Sequence, residues 1–291
     1  MGIDISRTTV TLDIGTDESP AEAVTWSLGP RTGSGRGDVV ICHGTPWSSR
    51  MWLPLAKRLA RDHRVLLWDM PGYGDSITSA EAAPPVDLVA QRRRLAALID
   101  DRGLERPHVI AHDIGGAVAL GAHLFEGVDF ASLHLSDIVT LTPWGSPFFR
   151  LVAENEEVFA ALPLALHRAL VHEYIAGAAG PHLPAGWVGE LARPWSTPHG
   201  QATFYRQIAE LSPAHTAPIA ARLGGVRAPV RISWGEADPW IPVEQADRLA
   251  AALPGDVDLT RFPEVGRLAV LEAPAAFAAE VEAWLSSAGD P

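Results

Sequence analysis

Val109-Ile110-Ala111-His112-Asp113-Ile114-Gly115-Gly116 is the stretch whose reading decides the fold. An apolar run of buried-strand character stops at His-Asp, and small residues follow where a helix is expected to begin, near Gly115. Ala111 and Gly115 stand two residues either side of Asp113. Side chains that small let the strand and helix backbones approach, and the residue caught in so tight a turn takes strained φ/ψ angles. Any apolar strand that ends in an Asp at a helix N-cap shares part of this pattern. The flanking sequence has to carry the rest.

Upstream, residues 9–28 alternate as a pair of leading strands, and Gly29 to Gly37 is a turn-rich loop. Asp38 to Cys42 and Arg64 to Trp68 read as buried strands. Between them, Met51, Leu55 and Leu59 give a helix one apolar face. A further helix carries Leu95, Leu98 and Ile99 and ends near Gly103. Downstream, Leu133 to Thr140 reads as a strand, broken by Thr142-Pro143-Trp144-Gly145-Ser146-Pro147. An Ala-, Leu- and His-rich region of helical spacing then runs to about Gly225, and strand character returns over 228–234. A helix over 243–252, a strand over 257–262 and a helix bearing Phe277, Val281, Trp284 and Leu285 close the chain. Strands alternating with helices predict an α/β fold, a mostly parallel sheet covered by helices on both faces. Residues 1–144 and 226–291 form its core. Residues 145–225 are a helical insertion, expected to close over the strand ends where open α/β sheets bind ligands.

Small-x-Asp-x-small at a strand–turn–helix junction resembles the nucleophile elbow of the α/β-hydrolase fold. With Asp in place of Ser, it is similar to the branch of epoxide hydrolases and of haloalkane and haloacetate dehalogenases. Other motifs support the likeness. His43-Gly44-Thr45-Pro46 resembles the family's oxyanion loop, which implies that the N–H groups of Thr45 and Ile114 form an oxyanion hole. Asp69 to Ser76 resembles the family's structural Asp-x-Pro-Gly-x-Gly-x-Ser loop. Trp234 to Pro242 resembles the acid loop, with Asp238 as the residue that orients the catalytic base. Gly266 and Glu272-Ala273-Pro274 match the C-terminal loop, yet Arg267 stands where the family carries its catalytic histidine. In the aspartate mechanism the carboxylate forms an ester and the histidine deprotonates the water that hydrolyses it. Arginine stays protonated and cannot, though it can pair with Asp238 and favour an ionised Asp113.

The likeness extends into the inserted cap. Tyr205, in Thr203-Phe204-Tyr205-Arg206-Gln207, matches the tyrosine that hydrogen-bonds an epoxide oxygen, and Tyr174 is a looser match for a second. Haloalkane dehalogenases place Trp directly after the nucleophile and haloacetate dehalogenases place Arg. Ile114 occupies that position here and disfavours both. His43 and His112 flank the site, and Trp47, Trp144 and Trp240 follow sheet-end loops and are candidates to line the pocket. An aromatic pocket of this kind suits a sizeable hydrophobic substrate.

Composition narrows the field. Among 291 residues the net charge is −12, with no basic stripe, which disfavours nucleic acid and anionic membranes. A single cysteine, Cys42, rules out an intrachain disulfide. No apolar run reaches spanning length, and Met1-Gly2 with Ser6 is a chance match to a myristoylation pattern without polybasic support. The expectation is a cytoplasmic, cofactor-independent enzyme without a metal, a monomer or homodimer, whose partner is a hydrophobic small molecule. Three functions stay open. The first is an epoxide-hydrolase-like enzyme with Asp113 as nucleophile, Tyr205 as proton donor and an impaired second step. The second is a non-hydrolytic lyase, cyclase or isomerase in which Asp113 is acid/base and Arg267 holds an anion. The third is an inactive ligand-binding protein.

Overall fold

The computed structural model describes residues 3–15, 20–30, 36–78 and 83–288. Met1-Gly2 and the middle of the Gly29 to Gly37 loop lie outside them. The first half of the chain supplies strands β1 (Ile5–Leu12), β2 (Ala21–Leu28), β3 (Asp38–Cys42), β4 (Arg64–Trp68), β5 (His108–His112) and β6 (Ser132–Ser136). Strands β7 (Val230–Gly235) and β8 (Asp258–Phe262) complete the set. They form one eight-stranded sheet in the order β1-β2-β4-β3-β5-β6-β7-β8. Every pairing from β4 onward is parallel, while β1 and β2 run antiparallel at one edge. β5 and β6 are buried at all five positions each, so helices cover both faces of the sheet.

The core helices are α1 (Leu53–Leu59), α2 (Leu88–Asp101), α3 (Ile114–Phe125), α10 (Glu244–Ala252), α11 (Ala269–Glu272) and α12 (Pro274–Ser287). Between β6 and β7 the chain runs through α4 (Pro147–Glu154), α5 (Glu156–Ala160), α6 (Leu164–Ala176), α7 (Trp187–Ala192), α8 (Pro198–Glu210) and α9 (Pro213–Ala220). Pro at N1 or N2 starts α4, α8 and α9, where its missing N–H costs nothing, and Ser146, Thr197 and Ser212 cap them.

Two expectations change. The first strand begins at Ile5 rather than near residue 9. The strand expected to run from Leu133 to Thr140 ends at Ser136, because Asp137 turns to φ +47° and leaves the sheet. Its carboxylate then accepts the Gly235 N–H at 2.9 Å and the Ser136 hydroxyl at 2.8 Å. The apolar residues beyond it pack as loop. Cys42 ends β3, free and fully buried.

Candidate active site

Asp113 occupies the turn between β5 and α3 at φ 57°, ψ −130°, a region a non-glycine residue enters only under constraint. The glycines around it explain how the turn closes. A Cβ on Gly115 would overlap the backbone oxygens of Cys42 and His43, and one on Gly44 would overlap the Asp113 side chain. Only bare backbone fits at either place.

The turn puts the Asp113 carboxylate, 2 % exposed, into a complete shell of donors. Oδ1 accepts the N–H of Thr45 at 3.0 Å and of Ile114 at 2.5 Å. Oδ2 accepts from Arg267, through Nε at 3.0 Å and also through Nη2. The third guanidinium nitrogen, Nη1, reaches Asp238 Oδ2 at 2.6 Å. Asp238 Oδ1 in turn takes the N–H groups of Trp240 and Ile241 at 2.8 and 3.1 Å. Arg267 thus bridges the carboxylates at the ends of β5 and β7.

Glu272 sets the loop that carries this arginine, its two carboxylate oxygens accepting the N–H groups of Gly266 and Leu268 at 3.0 and 3.2 Å. Burial works against the Arg267 charge, but Asp238 and Asp113 more than offset it and raise its pKa, so the guanidinium stays cationic. Burial and the neighbouring Asp238 push Asp137 well above the usual carboxylate range. Among the described residues no group of His, Cys, Asp or Glu could hold a metal ion.

A cavity opens on this cluster. Thr45, Asp113 and Arg267 give it a polar floor, and Trp144, Phe149, Tyr174 and Trp240 wall it, with Ile114, Val139, Leu211 and Ile241 between. The cavity is small, about 40 Å³ or room for a few waters, less than the sizeable substrate expected from the sequence would need. Trp240 stacks on Tyr174 at 4.7 Å and lies over the Arg267 guanidinium at 5.7 Å. Trp144 is tied to α9 through Nε1 and the Thr216 hydroxyl at 3.0 Å.

Of the residues singled out in the sequence, Asp113, Asp238, Arg267, Thr45, Ile114, Tyr174, Trp144 and Trp240 come together here. Asp238 reaches the cluster only through Arg267 and does not line the cavity, and four others do not line it either. His43 spends its ring on the Gly44 carbonyl and the Met70 N–H, at 2.8 and 2.9 Å. His112 turns away to the Arg267 carbonyl at 3.0 Å. Burial pushes both imidazoles down to about 4, so they are neutral fixtures. Trp47 lies behind Trp240, stacked at 5.8 Å. Tyr205 is fully buried, and its hydroxyl meets His167 Nδ1 at 2.8 Å while His167 Nε2 donates to the Trp195 carbonyl at 2.9 Å.

On α8 and its C-cap the sequence reading missed Gln207, which touches the site through Thr45, and Leu211. Gln207 accepts the Thr45 hydroxyl at 2.7 Å, and Leu211 lines the wall. Their i, i+4 spacing was the available signal, since it puts them on a common face that Tyr205 does not share.

A match to the alpha/beta hydrolase family covers residues 39–280, and the chain belongs to that family. It is similar to an alpha/beta hydrolase fold protein from Burkholderia ambifaria, 38% identical with a TM-score of 0.82, over 94% of this chain and 99% of the other. A Variovorax paradoxus protein named "Putative carbamate hydrolase RutD" is 28% identical over 78% of this chain and 84% of its own. The haloalkane dehalogenase DbeA from Bradyrhizobium elkani shares the fold at 19% identity, with a TM-score of 0.80 over 98% and 99% of the two chains. No helix among the described residues is long and apolar enough to cross a membrane.

Proposed function

We propose that the protein is an aspartate-nucleophile enzyme of epoxide-hydrolase type that captures a small, largely apolar electrophile on Asp113 and stops at the ester. The observation that carries this reading is the asymmetry of the carboxylate. Oδ1 lies in a two-donor hole formed by Thr45 and Ile114, where the carbonyl oxygen of an ester would sit, and Oδ2 is left as the attacking atom. Oδ2 attacks a ring carbon, the C–O bond breaks, and the oxygen leaves as an alkoxide that takes the proton of the Tyr174 hydroxyl. Burial raises Tyr174's pKa, which keeps that phenol neutral and able to donate. Helices α4 to α9 act as the cap that excludes bulk water.

Hydrolysis of the ester needs a base. The cavity-lining residues include no histidine, and Arg267 holds its proton throughout the working pH range. The reading in which Arg267 holds an anionic intermediate has less support, because each of its three nitrogens already meets a carboxylate. One observation favours a second reading, a ligand-binding protein without chemistry: the double contact of Arg267 with Oδ2 leaves no oxygen of Asp113 free at rest.

Intact-protein mass after incubation with short alkyl and aryl epoxides and alkyl bromides separates the two. The capture reading expects one adduct per chain, mapped to Asp113, absent in Asp113→Asn and discharged in Arg267→His. No adduct across the panel overturns capture in favour of the binding protein, and diol release by the unaltered enzyme overturns the blocked second step.

A further inference from the structure

The Thr45 N–H belongs to the short loop between β3 and the turn of 3₁₀ helix at Ser49–Trp52. Two hydrogen bonds tie the middle of that loop to the inserted helices. The Thr45 hydroxyl donates to Gln207 Oε1 on α8 at 2.7 Å, and Trp195 Nε1 donates to the Pro46 carbonyl at 2.8 Å. Gln207 Oε1 also accepts the Tyr73 hydroxyl at 3.1 Å.

The other end of that amide is anomalous. Gln207 is 1 % exposed, and its Nε2 finds no partner among the described residues. Leaving a buried donor unpaired is destabilising, so the amide is a poor choice for stability alone. What it provides is the acceptor facing Thr45.

We propose that Gln207 is a positioning residue for the oxyanion hole: by accepting the Thr45 hydroxyl it holds the Thr45 N–H on Asp113 Oδ1, so that the hole exists only while α8 is seated. The inference rests on the reading above, in which that N–H is an oxyanion donor. It makes one arm of the hole dependent on the inserted helices and leaves the other, the Ile114 N–H, to the turn into α3. Retraction of α8 would draw Thr45 away and leave Asp113 Oδ1 with a single donor.

The test reads the amide itself and needs no turnover. Protein labelled with ¹⁵N-threonine gives a Thr45 amide resonance, assigned by its loss in Thr45→Ser. Gln207→Leu is expected to move that resonance in the direction that Asp113→Asn moves it, and to raise its hydrogen-exchange rate at least about tenfold, the fold-change of a 1.4 kcal/mol opening. The amide of Thr25, buried in β2, serves as the reference and is expected to stay put. Gln207→Glu, which restores an acceptor oxygen, is expected to return Thr45 toward its original position. Gln207→Met serves the same comparison if the leucine variant does not fold. A Thr45 amide that does not respond, or threonine amides that all respond alike, overturns the inference. Failure to capture epoxides would refute the catalytic reading and leave this readout unaffected.

Discussion

Arg267→Met tests the charge arrangement most directly. The arginine side chain is 1 % exposed and its partners Asp113 and Asp238 are 3 % and 0 % exposed, so no solvent can take over when the guanidinium is removed. Deleting one member of a buried pair costs about 3–5 kcal/mol, because the remaining charge stays desolvated. A chain of 291 residues has an unfolding entropy of roughly 0.6 kcal/mol per degree at the common per-residue value, which converts that cost into a melting temperature lower by about 5–8 °C. Adding Asp113→Asn removes one orphaned charge while its amide oxygen still faces the Thr45 and Ile114 donors. The double variant should therefore recover about half of the loss, so the coupling in a double-mutant cycle is that recovery of roughly 2 kcal/mol plus whatever Asp113→Asn costs alone. Calorimetry at pH 7 on the two single variants and the double variant measures it. Repeating it at high salt should leave the difference in place, because a buried pair is poorly screened. A single variant that melts within a degree of the parent, or two substitutions whose costs simply add, would refute the reasoning.

Three further outcomes are expected. His43 and His112 stay neutral in the fold down to about pH 4, against an ordinary value of 6.5. Between those values the unfolded chain binds protons that the native chain refuses, so stability present above pH 6.5 is lost as the pH falls towards 4, by up to roughly 3 kcal/mol per ring. Urea titrations from pH 7 to 5 on His112→Gln should show a shallower loss, and an unchanged slope would count against it. Gly115→Ala should cost about 3 kcal/mol because its Cβ meets fixed backbone. Gly121→Ala should cost less, since the atom in its way is Cδ of the flexible Arg92 side chain, which can shift. Equal costs in denaturant would contradict this packing account. Tyr174→Phe should slow adduct formation from epoxides by about 10²-fold and from alkyl bromides by a smaller factor, since a halide leaves without a proton. Tyr205→Phe should lose about 1 kcal/mol of stability with its capture rate unchanged, and the reverse pattern would restore Tyr205 as the donor.

What the sequence made legible is local and what it hid is relational. β3 and β4 match their expected bounds because each is an unbroken apolar run between polar turns, and the Asp113 turn follows from the small residues that allow it. Arg267 came to the Asp238 side of the site because Gly266 and Glu272, both legible, fix its loop. The phase of α8 was not legible. Phe204, Tyr205, Gln207 and Ile208 are all buried, so burial pattern could not say which of them faces the site. Only the seating of that helix on the β3 loop decides for Gln207 over Tyr205. Pocket size was hidden for the same reason. Counting tryptophans gives the character of a wall but not the distance to the wall opposite.

The chain's single thiol sits at the end of β3, in the middle of the sheet, and burial lifts it to about 12. In the native state it is therefore neither exposed nor ionised, the two conditions a disulfide reagent or maleimide requires. Any labelling of a folded sample counts molecules whose central strands have come apart. The protein thus carries its own clock for global opening: labelling rates at low and high reagent give the opening equilibrium and the opening rate in turn, without an engineered probe.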